Sequence, residues 1–168
     1  MSRTATLVLL LAALILPAFH STAQAAPTGP RKTPRRSTIV ARIIDLVNTE
    51  RLAAGLPPLT VSTPLVLEAQ RFSAVQADMG TLSHRGNDGT TAGQRLTNAG
   101  YSWSFYGENL AAGQTTADDV VSAWMNSPDH RANMLSPKAT EIGVGHTTRL
   151  DDPSRFVNYY VLEIGRAR

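Results

Sequence analysis

The segment from Trp124 to Gly145 constrains the fold of this chain more than any other, because two prolines divide it into short elements. Pro128 cannot continue a preceding helix, since it lacks an N–H and its ring clashes with the turn before it. It suits the first position of a new helix, with Ser127 as the N-cap. His130 then falls in the first turn, and Pro137 closes the segment before an extended run. The pattern predicts a short helix, followed by a strand, that holds a histidine in a fixed position.

The first 25 residues have the pattern of a secretory signal peptide. Arg3 supplies a positive start, Leu7 to Phe19 is an apolar run, and Ala23-Gln24-Ala25 is a small-x-small cleavage site. The alternative is an uncleaved anchor, but the apolar run is shorter than the ~20 residues that a transmembrane helix needs. We therefore expect an exported, extracellular protein without a transmembrane segment.

Residues 26–37 are rich in Pro, Gly, Thr and Arg and have no apolar periodicity, which predicts a disordered basic linker before one domain over residues 38–168. The linker is either simply solvated or in contact with an anionic cell-wall polymer or lipid head groups. From Ser37 onward there are 11 basic and 13 acidic residues, so the formal charge is 11 − 13 = −2, although the whole chain is +3. This charge argues against nucleic-acid binding by the domain. We also expect the domain to be a monomer.

Cysteine is absent from the chain. A mature domain of roughly 130 residues can bury enough apolar surface to fold without disulfides. Thiol catalysis and cysteine metal sites are excluded.

The periodicity elsewhere predicts helices first and strands afterwards, with one extended piece between them. Apolar residues recur at helical spacing from Ile39 to Leu52. A second helix is capped by Ser62 or Thr63, and its expected buried side contains Leu67, Phe72, Val75 and Met79. Further helices are predicted over Thr91–Asn98 and after Thr116, and extended segments over Glu141–Thr148 and Phe156–Ile164. This order predicts an α+β layered domain in which helices cover a small antiparallel sheet.

Three ionisable side chains each lie beside a residue that turns the chain: His84 in a loop, Glu108 in a glycine-bounded turn, and His130 at a helix start. Two imidazoles and a carboxylate suit Zn²⁺ or a similar ion, and they suit acid–base catalysis equally well. A short-range metal signature such as H-E-x-x-H is absent. Spacing alone leaves both roles open, along with purely structural ones.

Most of the aromatic residues lie in one short stretch, at Tyr101, Trp103, Phe105 and Tyr106. They either form the rim of a groove for an apolar ligand or pack in the core.

These motifs, taken together, resemble those of the CAP superfamily, which comprises the cysteine-rich secretory proteins, antigen 5, the plant pathogenesis-related proteins and their bacterial SCP-like relatives. The resemblance rests on Ser83-His84, Gly107-Glu108-Asn109-Leu110-Ala111, Trp124 with Ser127 to Leu135, and Thr140 to Gly145, in matching order and spacing. It covers Ile39 to Gly165. The lack of cysteines is similar to the bacterial branch, because eukaryotic members carry disulfides.

The resemblance implies a three-layer α-β-α sandwich with a small, mainly antiparallel central sheet and a cleft. In many members two His and two Glu line that cleft and can hold a divalent ion. His84, Glu108 and His130 match three of the four positions and are the metal ligands that the resemblance implies.

The fourth position, a Glu three residues after the helix tryptophan in most relatives, is Ser127 in this chain. The implied set is therefore incomplete. Asp129 and Glu141 are candidates to replace the missing carboxylate by proximity, and we expect Ser127 and Glu141 to line the cleft.

The resemblance favours a secreted, non-enzymatic binding module whose cleft takes a small-molecule, lipid or cell-wall ligand, or a weakly bound divalent cation such as Zn²⁺. A water-exposed site with two His and one Glu should bind metal well short of the ~10–16 kcal/mol of structural zinc. The alternative is a hydrolase acting on cell-wall or peptide substrates, in which the same residues activate a water directly or through a metal. The G-x-S-x-G nucleophile motif is absent.

Overall fold

The computed structural model describes residues 38–168, and the signal peptide predicted over residues 1–25 and the linker predicted over residues 26–37 lie outside the described residues. The described part contains five helices and four strands. In chain order these are α1 (Ile39–Ala53), β1 (Thr60–Val61), α2 (Thr63–Met79), α3 (Ala92–Asn98), β2 (Trp103–Ala112), α4 (Ala117–Met125), α5 (Pro128–Met134), β3 (Glu141–Thr148) and β4 (Asn158–Ala167).

The helices begin where local capping chemistry predicts them. Thr91 and Gln94 form a complete capping box at the start of α3, and the Thr116 hydroxyl accepts from the backbone of Asp119 at 3.1 Å at the start of α4. Ser127 has the extended backbone of an N-cap before Pro128, although its side chain makes no capping bond. The short helix predicted between the two prolines is thereby confirmed.

The four strands form one sheet with the order β1-β3-β4-β2. Strand β4 pairs antiparallel with β2 and β3, whereas the two residues of β1 pair parallel with β3. The predicted mainly antiparallel sheet is confirmed. The sequence patterns did not predict β1, and β4 begins two residues later than expected and continues to Ala167.

Helices cover both faces of the sheet, which confirms the three-layer α-β-α sandwich. Alternate residues of a strand point to opposite faces. Val161 of β4 and Leu110 of β2 pack against Ala69 and Phe72 of α2 on one face. The other face packs against α1, α4 and α5 through a larger cluster that includes Ile43, Val47, Val120, Trp124, Met134, Ile142, Val144, Leu162 and Ile164.

Helix α2 lies directly on the glycines of β3. A Cβ added to Gly143 would overlap the backbone of Leu65, and one added to Gly145 would overlap the backbone of Ala69. These glycines therefore allow close backbone packing, and they set the distance between α2 and the sheet.

One residue of α2 was assigned to the wrong side by its hydrophobicity. Leu67 is 63% exposed, whereas Leu65, Ala69 and Phe72 are fully buried. The buried stripe of α2 also contains polar residues, including Glu68 and Gln76. Because these charged and polar positions face inward, hydrophobicity alone misplaced the stripe.

A buried arginine holds the segment after α5. Arg51 of α1 is fully buried and donates from its Nη1 to the carbonyls of Met134 at 2.8 Å and Ser136 at 2.9 Å, and from its Nε to Pro57 at 3.0 Å. A buried cation satisfied by backbone carbonyls fixes the position of those carbonyls. The C-terminal end of α5 is thus anchored to α1.

Within residues 38–168, we find no helix with both the length and the apolar character needed to cross a membrane.

We expect Gly145→Ala to lower the free energy of unfolding by about 3 kcal/mol or more, since the added methyl group forces α2 away from β3. Gly55→Ala is the matched control, because a Cβ at Gly55 meets open space and only its positive φ of 73° opposes the change. That control should cost about 1 kcal/mol. Urea unfolding of the three proteins gives the comparison, and equal losses would contradict the close-packing role.

Candidate functional site

Glu108 lies inside strand β2, which corrects its predicted position in a glycine-bounded turn. Gly107 does not break the strand; the space beside it is filled by the Asn133 side chain, and its partner on β4 is Ile164. The Glu108 side chain is only 3% exposed. A carboxylate anchored on a strand is held more rigidly than one on a turn, so Glu108 is a fixed element of the site.

His84 reaches Glu108 from the loop that follows α2. The loop is fixed by Gln76, whose side chain donates to the carbonyl of Ser83 at 2.7 Å and accepts from its N–H at 2.8 Å. The Nδ1 of His84 lies 2.7 Å from Oε1 of Glu108, while the imidazole remains 63% exposed. Because a carboxylate accepts at Nδ1, the Nε2 atom of His84 is the one presented to solvent.

Arg95 of α3 joins the parts of this site. Its guanidinium donates to Oε2 of Glu108, and its Nε donates to Oε1 of Glu68 at 2.9 Å. Its Nη1 donates to the carbonyls of His84 at 3.1 Å and Thr90 at 3.2 Å. Since the Arg95 side chain is only 1% exposed, these bonds are made away from water and hold both the carboxylate and the histidine loop in place.

His130 approaches from the opposite layer, at the edge of β2. The side chain of Asn109 donates to the His130 carbonyl at 2.9 Å, and the side chain of Asn133 donates to the Glu108 carbonyl at 3.2 Å. These bonds hold α5 against β2 and fix the backbone of His130 beside Asn109, the residue that follows Glu108.

The pKa values of the two imidazoles are shifted in opposite directions. The hydrogen bond to Glu108 raises the pKa of His84 above its usual value. Burial, followed by the positive charge of His84, lowers the pKa of His130. Between the two pKa values, His84 is charged while His130 is neutral.

Beneath these groups lies Glu163, which is fully buried on β4 directly opposite Glu108. Neither of its carboxylate oxygens accepts a hydrogen bond from a donor in the described part of the protein. Burial, and then the negative charge of Glu108, raises the pKa of Glu163 well above 4.5. The surroundings of Glu163 therefore favour the neutral form of its carboxyl group.

Two residues predicted to line the cleft have other neighbours. The carboxylate of Glu141 accepts from the hydroxyl of Tyr101 at 2.5 Å, and no hydrogen bond or ion pair in the described residues joins it to His84 or His130. Ser127 is half-buried at the N-cap of α5. Their contribution to the cleft stays a prediction.

Across residues 38–168, no group of three or more His, Asp and Glu side chains is arranged to hold an ion. The two oxygens of Glu108 are hydrogen-bonded to His84 and Arg95. The metal-ligand role of His84, Glu108 and His130 stays a prediction. What remains is His84 with a carboxylate on its Nδ1, an outer contact typical of metal-bound histidines, and a second imidazole nearby.

A cavity of about 330 Å³ opens beside the hydrogen-bonded pair of His84 and Glu108. It is lined by His84, Arg85, Thr91, Ala92, Tyr106 and Glu108. This volume is at the lower end of the range for small-molecule sites.

Three of the groups that build this site, Glu68, Arg95 and Glu163, were not predicted from the sequence. An arginine in a short helix and two glutamates among apolar residues give no local signal of an ion pair. All three side chains are buried. Sequence periodicity could indicate this burial only after the buried side of α2 and the buried positions of β4 are known.

The comparisons with known proteins agree with the motif order. The family model named CAP, for the cysteine-rich secretory protein family, matches residues 44–163. The chain is 34% identical over 134 residues to the uncharacterized protein YkwD of Bacillus subtilis (strain 168). The matched region covers 76% of this chain and 52% of that protein. It therefore spans about half the length of this relative.

Two solved structures have the same fold. An extracellular protein containing an SCP domain from Bacillus anthracis str. Ames has a TM-score of 0.68 and 27% identity, with 84% of this chain and 45% of that chain covered. An outer surface protein from Borrelia burgdorferi has a TM-score of 0.68 and 24% identity, with coverages of 75% and 90%. The second likeness supports the fold alone.

We expect Glu163→Gln to stabilise the protein near neutral pH. The folded state keeps the Glu163 proton while the unfolded chain releases it above about 4.5, so the free energy of unfolding falls as the pH rises from 4.5 toward the folded-state pKa. Glutamine keeps a donor and an acceptor but has no proton to lose. The gain over the unmodified protein should therefore be seen near pH 7 and vanish near about pH 4 in urea unfolding.

The control is Asp151→Asn, which removes a carboxylate that is 86% exposed. It should leave the pH dependence of stability almost unchanged. A Glu163→Gln variant that is less stable than the unmodified protein at every pH would show that Glu163 is ionised in the fold.

Proposed function

This chain belongs to the cysteine-rich secretory protein (CAP) family, and we propose that it is an exported binding module of that family whose ligand cleft lies beside His84 and Glu108, with His130 near His84. The relatives reported above are bacterial proteins, and the neighbour at 27% identity is described as an extracellular protein. That description supports the export that the N-terminal pattern predicts.

One observation carries the binding proposal: an exposed imidazole is held in a single orientation beside a cavity. The Nδ1 of His84 is fixed at 2.7 Å from a carboxylate that is itself only 3% exposed, and the free Nε2 faces the solvent. Fixing a polar group before a ligand arrives lowers the entropy that binding must overcome. The hydrogen bonds of the buried Arg95 network are consistent with a site that keeps its shape.

The arrangement lacks an activated nucleophile, which favours binding over covalent catalysis. In the described residues no serine or threonine hydroxyl is hydrogen-bonded to His84 or His130. The adjacent Ser83 hydroxyl instead accepts from the backbone of Arg85 at 3.1 Å. A nucleophilic hydroxyl needs a base within hydrogen-bonding distance.

A divalent cation, if the cleft takes one, would be held by the two imidazoles, with Glu108 in an outer position. Two nitrogen ligands open to water give weak binding, well below that of structural zinc sites with four protein ligands. The core, the Arg51 contacts and the Arg95 network stabilise the fold without contribution from an ion.

A second candidate function is supported by the opposite pKa shifts of the two imidazoles. His84 is a cation backed by Glu108, suited to donate a proton, and His130 is neutral, suited to accept one. Neighbouring groups whose pKa values are driven apart are a common feature of acid–base sites. The corresponding activity is hydrolysis of a cell-wall or peptide substrate by a water that His130 deprotonates.

The binding proposal is tested by titrating the full chain with Zn²⁺ while following the histidine side chains by NMR. We expect His84 and His130 to respond together, with a dissociation constant of about 1 μM or weaker. His84→Ala and His130→Ala should each weaken binding by about tenfold or more. His146→Ala is the matched control, because that imidazole stacks on Tyr160 at 4.6 Å, on another part of the sheet.

The same titration is repeated with a soluble cell-wall fragment and with a fatty acid, so that organic ligands are tested as well as the ion. Zn²⁺ binding that is lost only in the His146 variant, or no response of His84 and His130 to any of these probes, would refute the proposal. Thermal melts with and without a chelator complete the test, and we expect the same melting temperature in both.

The hydrolase alternative predicts turnover with a bell-shaped pH profile, since the reaction needs charged His84 and neutral His130 at once. Release of fragments from peptidoglycan and from a peptide library measures it. Turnover that is lost in both histidine variants but kept in His146→Ala would favour the enzyme, and its absence with every substrate would leave the binding module.

A further inference from the structure

The cavity beside His84 is the first of three that follow α3 in a row. The second, of about 370 Å³, shares Thr91 and Tyr106 with the first. The third, of about 340 Å³, shares Thr97 and Trp103 with the second. Because neighbouring cavities share wall residues, they lie side by side along α3, and we call this row of cavities the α3 groove. Three lobes of similar size suit a chain of repeating units better than one compact molecule.

Aromatic rings stand at both junctions of the α3 groove. Tyr106 lies between the first and second lobes and Trp103 between the second and third, and the two rings meet edge to face with centroids 4.7 Å apart. The Nε1 of Trp103 donates to the Gly93 carbonyl at 3.2 Å, and the rings pack against Gly93 where a side chain would collide with them. The rings are therefore held in place before any ligand binds.

The rim of the α3 groove is uncharged and polar along its middle, and an arginine lines each end, Arg85 in the first lobe and Arg168 in the third. Gln94, Thr97 and Asn98 are exposed on α3, and Ser102 follows on the turn to β2. In the described part of the protein, neither Asn98 nor Ser102 makes a side-chain hydrogen bond, and only the carbonyl oxygen of the Gln94 side chain is used, as a cap. Amides and hydroxyls that are free to donate and accept match ligands whose groups do both.

Charge and shape exclude several ligand classes. The middle lobe has no charged lining residue, and the outer lobes add one arginine each, Arg85 and Arg168, which are too few cations to follow a nucleic-acid backbone. All three lobes are open and polar at the rim, whereas an acyl chain needs an enclosed apolar cavity to remove it from water. A proline-rich peptide would use the rings but has few donors for the free amide oxygens.

We propose that the α3 groove binds a neutral carbohydrate chain, with sugar faces on Tyr106 and Trp103 and sugar hydroxyls bonded to Gln94, Asn98 and Ser102. The C–H face of a pyranose ring is apolar and stacks on an aromatic ring, and its hydroxyls donate and accept along the edge. The inference deepens the proposed function, on which it rests, because the first lobe of the α3 groove is the His84 cleft. It names the ligand class and extends the site away from the histidines.

The test is calorimetric titration of the full chain with chitotetraose, the β-1,4-linked tetramer of N-acetylglucosamine, and with the monomer. We expect the tetramer to bind at least about tenfold more tightly, because only the tetramer reaches all three lobes. Trp103→Ala should weaken tetramer binding about tenfold through the loss of one stacking face. Phe156→Ala is the matched control, since that aromatic side chain is 38% exposed on another loop, and it should leave binding unchanged.

Trp103 also packs against the protein, so a second variant guards against a folding defect. Asn98→Ala removes an exposed side chain, and we expect a threefold to tenfold loss of tetramer affinity with an unchanged melting temperature. NMR mapping on the unmodified protein should show shifts along α3 and at Ser102.

Three results would overturn the proposal: no binding of chitotetraose at millimolar concentration, shifts that avoid α3, or tighter binding of a proline-rich decapeptide through the same rings. The Zn²⁺ response of His84 and His130 separates this outcome from failure of the proposed function. If His84 and His130 respond to Zn²⁺ while chitotetraose causes no NMR shifts along α3, the cleft remains a binding site and only the carbohydrate inference fails.

Discussion

The buried guanidinium of Arg95 is the interaction on which the site depends. It connects α3 to Glu68 of α2, to Glu108 of β2 and to the backbone of the loop that carries His84. Removing an arginine and two carboxylates from water is unfavourable, and only a full set of hydrogen bonds offsets it. Removing one partner would leave an uncompensated charge, so the network has one geometry in which it is satisfied, and that geometry places His84 beside Glu108.

The two helical layers reach the site by different means. On one face, Gly143 and Gly145 let α2 lie directly on the sheet, which brings Glu68 to the depth of Arg95. On the other, Arg51 holds the end of α5 through backbone carbonyls, and Asn109 and Asn133 hold its start and middle against β2. The backbone segments that carry the two histidines are therefore held by contacts on both sides of the sheet.

How much of this could be read from the sequence depends on how far apart the interacting residues are. The caps of α3 and α4 and the proline-bounded α5 were predicted because their chemistry is complete within four residues. The predicted position of Glu108 in a turn is wrong. A glycine beside it indicates a turn, but Gly107 continues the strand and the space beside it is filled by Asn133 of a distant helix. The Arg95 network is not predicted from the sequence, because Glu68 lies 27 residues from Arg95. The exposure of Leu67 is not predicted either, because the next residue of its helix, Glu68, is buried and paired with Arg95.

The charge balance of the site explains why the exposed imidazole is its most reactive feature. Of the three buried carboxyl groups at the site, Glu68 is paired with Arg95 and Arg71, and burial and the charge of Glu108 raise the pKa of Glu163. Glu108 shares Arg95 with Glu68, and it is the carboxylate that bonds the Nδ1 of His84. A ligand then meets a hydrogen-bonding Nε2 supported by a buried anion, with a neutral imidazole close by, and the shape of the adjoining groove decides which molecule can use them.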